Sequence, residues 1–137
     1  MPSPRVFISF DFDNDESQKY LFAGQAKNSK TPFNIEDWSS KASLPQNQWE
    51  KLIEDKICRS NMVAVLVGKN MASASGVVRE IAFAGRNSIP VFGVYIDGAG
   101  VSSILPAGLP RNRVIGWNWD NIANAIDQLM GEGKNAL

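Results

Sequence analysis

The chain has 137 residues, with 14 Lys+Arg against 14 Asp+Glu, one Cys and no His. That length and balance suit one domain with a core of its own and give no basic patch for nucleic acid. Without histidine, Ser-His-Asp and Cys-His catalysis are excluded, and one cysteine cannot build an all-thiolate zinc site.

Chemistry is thereby left to carboxylates, hydroxyls, amides and the backbone. No metal site is expected, and Cys58 reads as structural filling on a predicted helix. No run of about 18 apolar residues exists to span a membrane. The N-terminus, Met-Pro-Ser-Pro-Arg, lacks the apolar centre of a signal peptide, so a cytoplasmic location is expected.

Arg5-Val6-Phe7-Ile8-Ser9-Phe10 reads as a strand of β-branched and aromatic residues. The acids of Asp11-Phe12-Asp13-Asn14-Asp15-Glu16 suit a helix N-terminus, and that helix is predicted to reach about Ala26. Residues 28–32 form a loop, 33–36 a second strand, and 37–46 a polar connection that carries Trp38. A helix over 47–58 bears Trp49, Leu52, Ile53, Lys56 and Ile57 in an amphipathic pattern. Lys56 interrupts the stripe as a long stem that can snorkel.

Met62-Val63-Ala64-Val65-Leu66-Val67 and 90–96 are nearly continuous apolar runs, as expected of parallel strands buried on both faces. Between them Ser75 to Gly85 reads as a short helix. Residues 97–110 are a Gly/Pro-rich connection, and 113–117 a fifth strand flanked by Trp117 and Trp119. A last helix, capped by Asn118 or Asp120, bears Ile122, Ile126, Leu129 and Met130. Core structure is expected over about 5–130, with 131–137 a frayed tail. The alternation predicts a single α/β domain, 1–137, with a five-stranded parallel sheet in the order 2-1-3-4-5 and helices on both faces.

In that order ligands are expected at the carboxyl ends of the strands, between strands one and three. Glu80 stands near the start of the helix after strand three. On a helical wheel Val77, Ile81 and Ala84, with Val78, Ala82 and Gly85, form the expected buried stripe. Glu80 lies roughly 100° from its centre, at the border between core and solvent. Arg79 and Arg86 point away, and Phe83 is expected on the solvent side, where it would suit an assembly contact. By itself Glu80 reads as an ordinary solvated helix acid.

Other motifs fail on their own chemistry. Asp11-x-Asp13-x-Asp15 begins like a calcium loop, but Glu16 and Phe22 stand where Gly and Glu are needed. A phosphoacceptor domain needs an Asp at the end of strand three, where this chain has Val67-Gly68-Lys69. Gly68-Lys69 lacks the spaced glycine of a P-loop, and Gly98-Ala99-Gly100 is only part of a dinucleotide fingerprint.

Taken together, these pieces resemble Toll/interleukin-1 receptor (TIR) domains, and more closely the prokaryotic TIR-like proteins related to the ThsB sensors of Thoeris antiphage defence. The resemblance is carried by Phe7-Ile8-Ser9-Phe10, by Pro32-Phe33-Asn34-Ile35-Glu36-Asp37, by the helix led by Trp49, by Val65-Leu66-Val67-Gly68 and by Gly76-Val77-Val78-Arg79-Glu80-Ile81. It covers about residues 5–97.

The resemblance implies a flavodoxin-like TIR fold and, as in enzymatic members, cleavage of NAD+ to nicotinamide and an ADP-ribose-derived signal that can be cyclic. NAD+ is then a substrate, and no cofactor is implied. Glu80 matches the catalytic glutamate. Phe7, Ser9 and Asp11 at the end of strand one, with Asp37, Trp38 and Ser39 after strand two, are implied NAD+ contacts. Residues 37–46 depart from the usual TIR loop that closes over the site. Implied partners are further copies of the chain, a phage trigger and a separate effector that reads the messenger. A silent TIR-like assembly module is the alternative, and a flavin or nucleotide binder a third.

Overall fold

The computed structural model describes residues 5–10, 34–38, 46–68, 75–96, 99–100 and 103–133. The expected first helix and the loop after it lie outside these residues. Among the described residues five strands are present: β1 (Arg5–Ser9), β2 (Asn34–Trp38), β3 (Met62–Val67), β4 (Val91–Tyr95) and β5 (Val114–Ile115). Three helices accompany them there: α1 (Gln46–Cys58), α2 (Ser75–Arg86) and α3 (Trp119–Leu129).

All strand pairs are parallel, in the order β2-β1-β3-β4-β5. Parallel neighbours need a crossover, and the helices sort onto the two faces of the sheet. Val6, Ile8 and Phe10 join Met62, Ala64, Leu66, Phe92, Val94 and Ile96 on one face, beneath Ile122, Ile126 and Leu129 of α3. On the other face Phe7, Val63, Val65 and Val67 lie beneath Ile53 and Ile57 of α1 and Val77, Ile81, Phe83 and Ala84 of α2. Strand alternation thus supplies both cores from the same strands. β3, central and buried throughout, has the continuous apolar sequence that such a position requires.

Several boundaries differ from expectation for local reasons. β2 runs to Trp38 rather than ending at Glu36, so Asp37 and Trp38 are strand residues. Its pairing with β1 slips by one residue: Val6 pairs with Ile35, but Phe7 pairs with Asp37 and Ile8 with Trp38. Glu36 is the extra residue of this bulge. β5 is only two residues long, because Arg111–Arg113 forms a 3-10 turn ahead of it and Gly116 follows. Asn118 caps α3 by accepting a hydrogen bond from the Asn121 N–H at 3.2 Å.

Residues 131–133, expected to fray, are held. The Glu132 carboxylate pairs with Arg113 at 3.1 Å, and Arg113 also donates to the Val91 carbonyl. In the connection after β4, Leu109 lies against Gly93, where an added Cβ would meet Leu109, Val114 and Val67 at 3.0–3.2 Å. That close approach explains a glycine in mid-strand.

The largest correction concerns α2. Its buried residues are Val77, Glu80, Ile81, Phe83 and Ala84, while Ala82 and Gly85 are exposed and Val78 half-buried. The helix is therefore rotated away from the stripe that hydrophobicity alone would choose. The cause is α1, which packs alongside it. Arg79 donates to Glu50 at 2.5 Å. Arg86 makes a two-pronged bond with Glu54, which also accepts from the Asn87 amide at 2.7 Å. Positions 79, 83 and 86 share one side of the helix, so these bonds turn that side towards α1. Phe83 is buried there, with the Arg86 guanidinium 5.0 Å from its ring. It is not available as the assembly contact expected of it.

On α1 itself Ile53 and Ile57 are buried, Trp49 is half-buried against the same core, and Leu52 is largely exposed. Cys58 is half-buried and not in a disulfide.

Candidate functional site

The rotation of α2 carries Glu80 inward. It is the sixth residue of the helix, which starts at Ser75 as expected, and it is only 1% exposed. It is therefore a buried residue and not a border one. Val77, Ile81, Phe83 and Ala84 of the same helix are buried with it. Glu80 thus sits where α1, α2 and the sheet converge.

β1 supplies the hydrogen-bond donor. Ser9, the last residue of the strand, is fully buried, and its Oγ donates to Glu80 Oε1 at 2.7 Å. Ser9 is level with Val65, while β3 continues through Val67. The pair therefore lies just below the carboxyl rim of the sheet. It also lies where the chain changes direction: β2 flanks β1 on one side and β3 on the other. Open α/β sheets bind ligands in the crevice outside the strand ends at such a point.

A carboxylate removed from water carries a penalty of several kcal/mol in its ionised form. One hydrogen bond to a charged group returns about 1.5–3 kcal/mol. The neighbouring Arg79 is turned outward to Glu50. Glu54 raises the Arg86 pKa through its hydrogen bond, and burial opposes this only partly. The cations of α2 are thus engaged on its outer side.

Of the residues expected at the site, Ser9 and Glu80 are brought together. Phe7 is fully buried in the core beneath them, packed with Ile53, Ile57 and Val63. Asp37 and Trp38 are in β2, paired with Phe7 and Ile8, and not in a following loop. Asp11 and Ser39 lie outside the described residues.

Sequence reasoning missed the ion-pair ladder that rotates α2. Its signal was present: Glu50 and Glu54 are four apart, and Arg79 and Arg86 seven apart, so each pair shares one helix face. Among the described residues no cluster of His, Cys, Asp and Glu could hold a metal ion, and no helix is long and apolar enough to cross a membrane.

A parallel sheet in this order, wrapped on both faces, defines a doubly wound α/β domain. The crystal structure of a prokaryotic SEFIR domain is similar in fold. It superposes with a TM-score of 0.54 over 93% of this chain and 96% of that one, at 15% identity. Residues 7–100 match the family model for the Thoeris protein ThsB, TIR-like domain. The chain belongs to that family. A search of curated proteins gave no match.

Proposed function

We propose that this domain cleaves NAD+ at the nicotinamide–ribose bond and releases an ADP-ribose-derived signal, with Glu80 as the catalytic carboxylate. The observation that carries this reading is the burial of Glu80 against Ser9, in a helix that could have covered its core with apolar residues alone. Burying a carboxylate works against stability. Chains depart from local rules of this kind chiefly at functional sites. The family match spans both residues.

The chemistry needs neither histidine nor metal. Nicotinamide departs as a neutral base, and positive charge develops on the ribosyl centre; water, or a nucleophilic atom of the same ADP-ribose, then bonds to that carbon and loses a proton, giving the linear or the cyclic product. An ionised carboxylate held against the ribose would orient the sugar and stabilise that charge. Asp11, Asp37, Trp38 and Ser39 are proposed contacts for the rest of the dinucleotide, and Phe7 would support the floor of the site. At 1% exposure Glu80 meets a substrate only after its cover moves. Low turnover by dilute protein is therefore expected, with activation by self-association or by a phage trigger. A separate effector would read the product, and the reaction would run in the cytoplasm.

The same burial favours a second reading, in which Glu80 and Ser9 form a structural polar pair in a non-catalytic assembly module. NAD+ cleavage, measured over a concentration series for wild type and Glu80→Gln, separates the two. Turnover in assembled wild type that vanishes in the variant supports the enzyme. An assembled, triggered wild type without turnover leaves only the module.

A further inference from the structure

We propose that Ser9 is the positioning residue of Glu80: its hydroxyl fixes the carboxylate at one orientation and does not itself bind substrate. The kinetic half of this proposal rests on the NAD+-cleavage reading. The geometric half does not.

Three observations lead to it. First, Ser9 is the only polar residue in the buried stretch from Val6 to Phe10, and it is fully enclosed. An enclosed hydroxyl needs a partner, and Ser9 donates to the Glu80 carboxylate at 2.7 Å. Second, the two residues stand on elements of different rigidity. Ser9 closes a strand paired on both sides, to β2 and to β3. Its hydroxyl is a fixed post. Glu80 reaches inward from a helix on a side chain with three rotatable bonds, and the strand hydroxyl restricts the orientations its carboxylate can take. Third, the pair lies below the rim of the sheet, level with Val65. Ser9 is thus set back from the strand ends over which a ligand would come.

Catalysis by a carboxylate depends on holding the group within a fraction of an ångström of the productive geometry. A group that supplies only orientation acts on the rate of the bound complex. One that touches substrate in the ground state acts on KM as well. Ser9→Ala removes a single oxygen. Ser9→Thr keeps the hydroxyl and tests whether that oxygen is what matters.

The experiment uses the full chain under conditions in which wild type turns over NAD+. Ser9→Ala is expected to lower kcat by about 10–100-fold while KM stays within about threefold, and Ser9→Thr to recover most of kcat. In parallel, protein labelled with 13C at the glutamate carboxyl carbon gives one resonance that disappears in Glu80→Gln. That resonance should move in Ser9→Ala and return in Ser9→Thr. An unmoved resonance in Ser9→Ala overturns the proposal. So does a loss carried wholly by KM, which would make Ser9 a substrate contact. If assembled wild type cleaves no NAD+, the cleavage reading fails by itself. The carboxyl resonance then decides alone whether Ser9 positions Glu80.

Discussion

Buried polar side chains occur at both edges of this sheet, and they are used differently. At the amino edge Asn61 is tied to the backbone of β1: its Oδ1 accepts from the Arg5 N–H at 2.8 Å, and its own N–H donates to the Arg5 carbonyl. Beside it the Ser60 hydroxyl donates to the Lys56 carbonyl at 3.0 Å. These groups hold chain to chain as β3 begins. At the carboxyl edge Ser9 and Glu80 meet side chain to side chain, and one of them is an acid. The amino edge uses polarity to secure the backbone. The carboxyl edge buries an ionisable group and bonds it to another side chain. Burial alone therefore does not mark a site; what the buried group is bonded to does.

The largest expected effect sets the two edges apart most sharply. Glu80→Gln should reduce NAD+ cleavage by about 10²–10³-fold, while its melting temperature stays level or rises, because a buried acid has been removed. A variant that keeps its turnover would place the chemistry elsewhere. Asn61→Ala should do the opposite. It leaves the Arg5 N–H without its acceptor and lowers stability by about 1–3 kcal/mol in urea unfolding. Its kcat on the remaining folded protein should match wild type. An unchanged unfolding midpoint would refute the stitching role of that edge.

Gly108→Ala comes next. Gly108 has a φ of +91°, and an added Cβ would stand 2.8 Å from Ile81 Cγ2, next to Glu80 in sequence. The backbone penalty is about 1–2 kcal/mol, readable as a lower melting temperature. If pressure on α2 also disturbs the carboxyl edge, turnover should fall with it. The smallest effect belongs to Arg79→Ala. Its partner Glu50 is partly exposed, and such pairs contribute about 0–1 kcal/mol. Loss of turnover well beyond that would show the ladder is needed to keep Glu80 facing inward.

Much of the architecture was legible in the residues. The apolar runs of β3 and β4 have only one comfortable place, inside a parallel sheet, and the alternation of strands with helices leaves few orders for the rest. Glu80 was legible as the residue to watch, but not its setting. Helix periodicity weighs the side chains of α2 alone, and by that measure Val78, Ala82 and Gly85 belong inside. The neighbouring α1 decides otherwise, through Glu50 and Glu54. β2 was cut short for a similar reason. Asp37 disfavours a strand locally, yet pairing with β1 carries the strand on to Trp38 once Glu36 is bulged out. Both errors lie where a partner distant in sequence outweighs a local preference.

The bond between Ser9 and Glu80 joins residues 71 apart in the chain. Closing so long a loop is entropically unfavourable until other contacts share the cost. Before the two residues can meet, β1 and β3 must pair and α2 must dock on them. A nascent chain cannot form the bond until α2 has been synthesised, and a misfolded chain without the central pairing cannot form it at all. The carboxylate is placed only in a molecule whose central strands have paired, so its setting and the completion of folding arrive together.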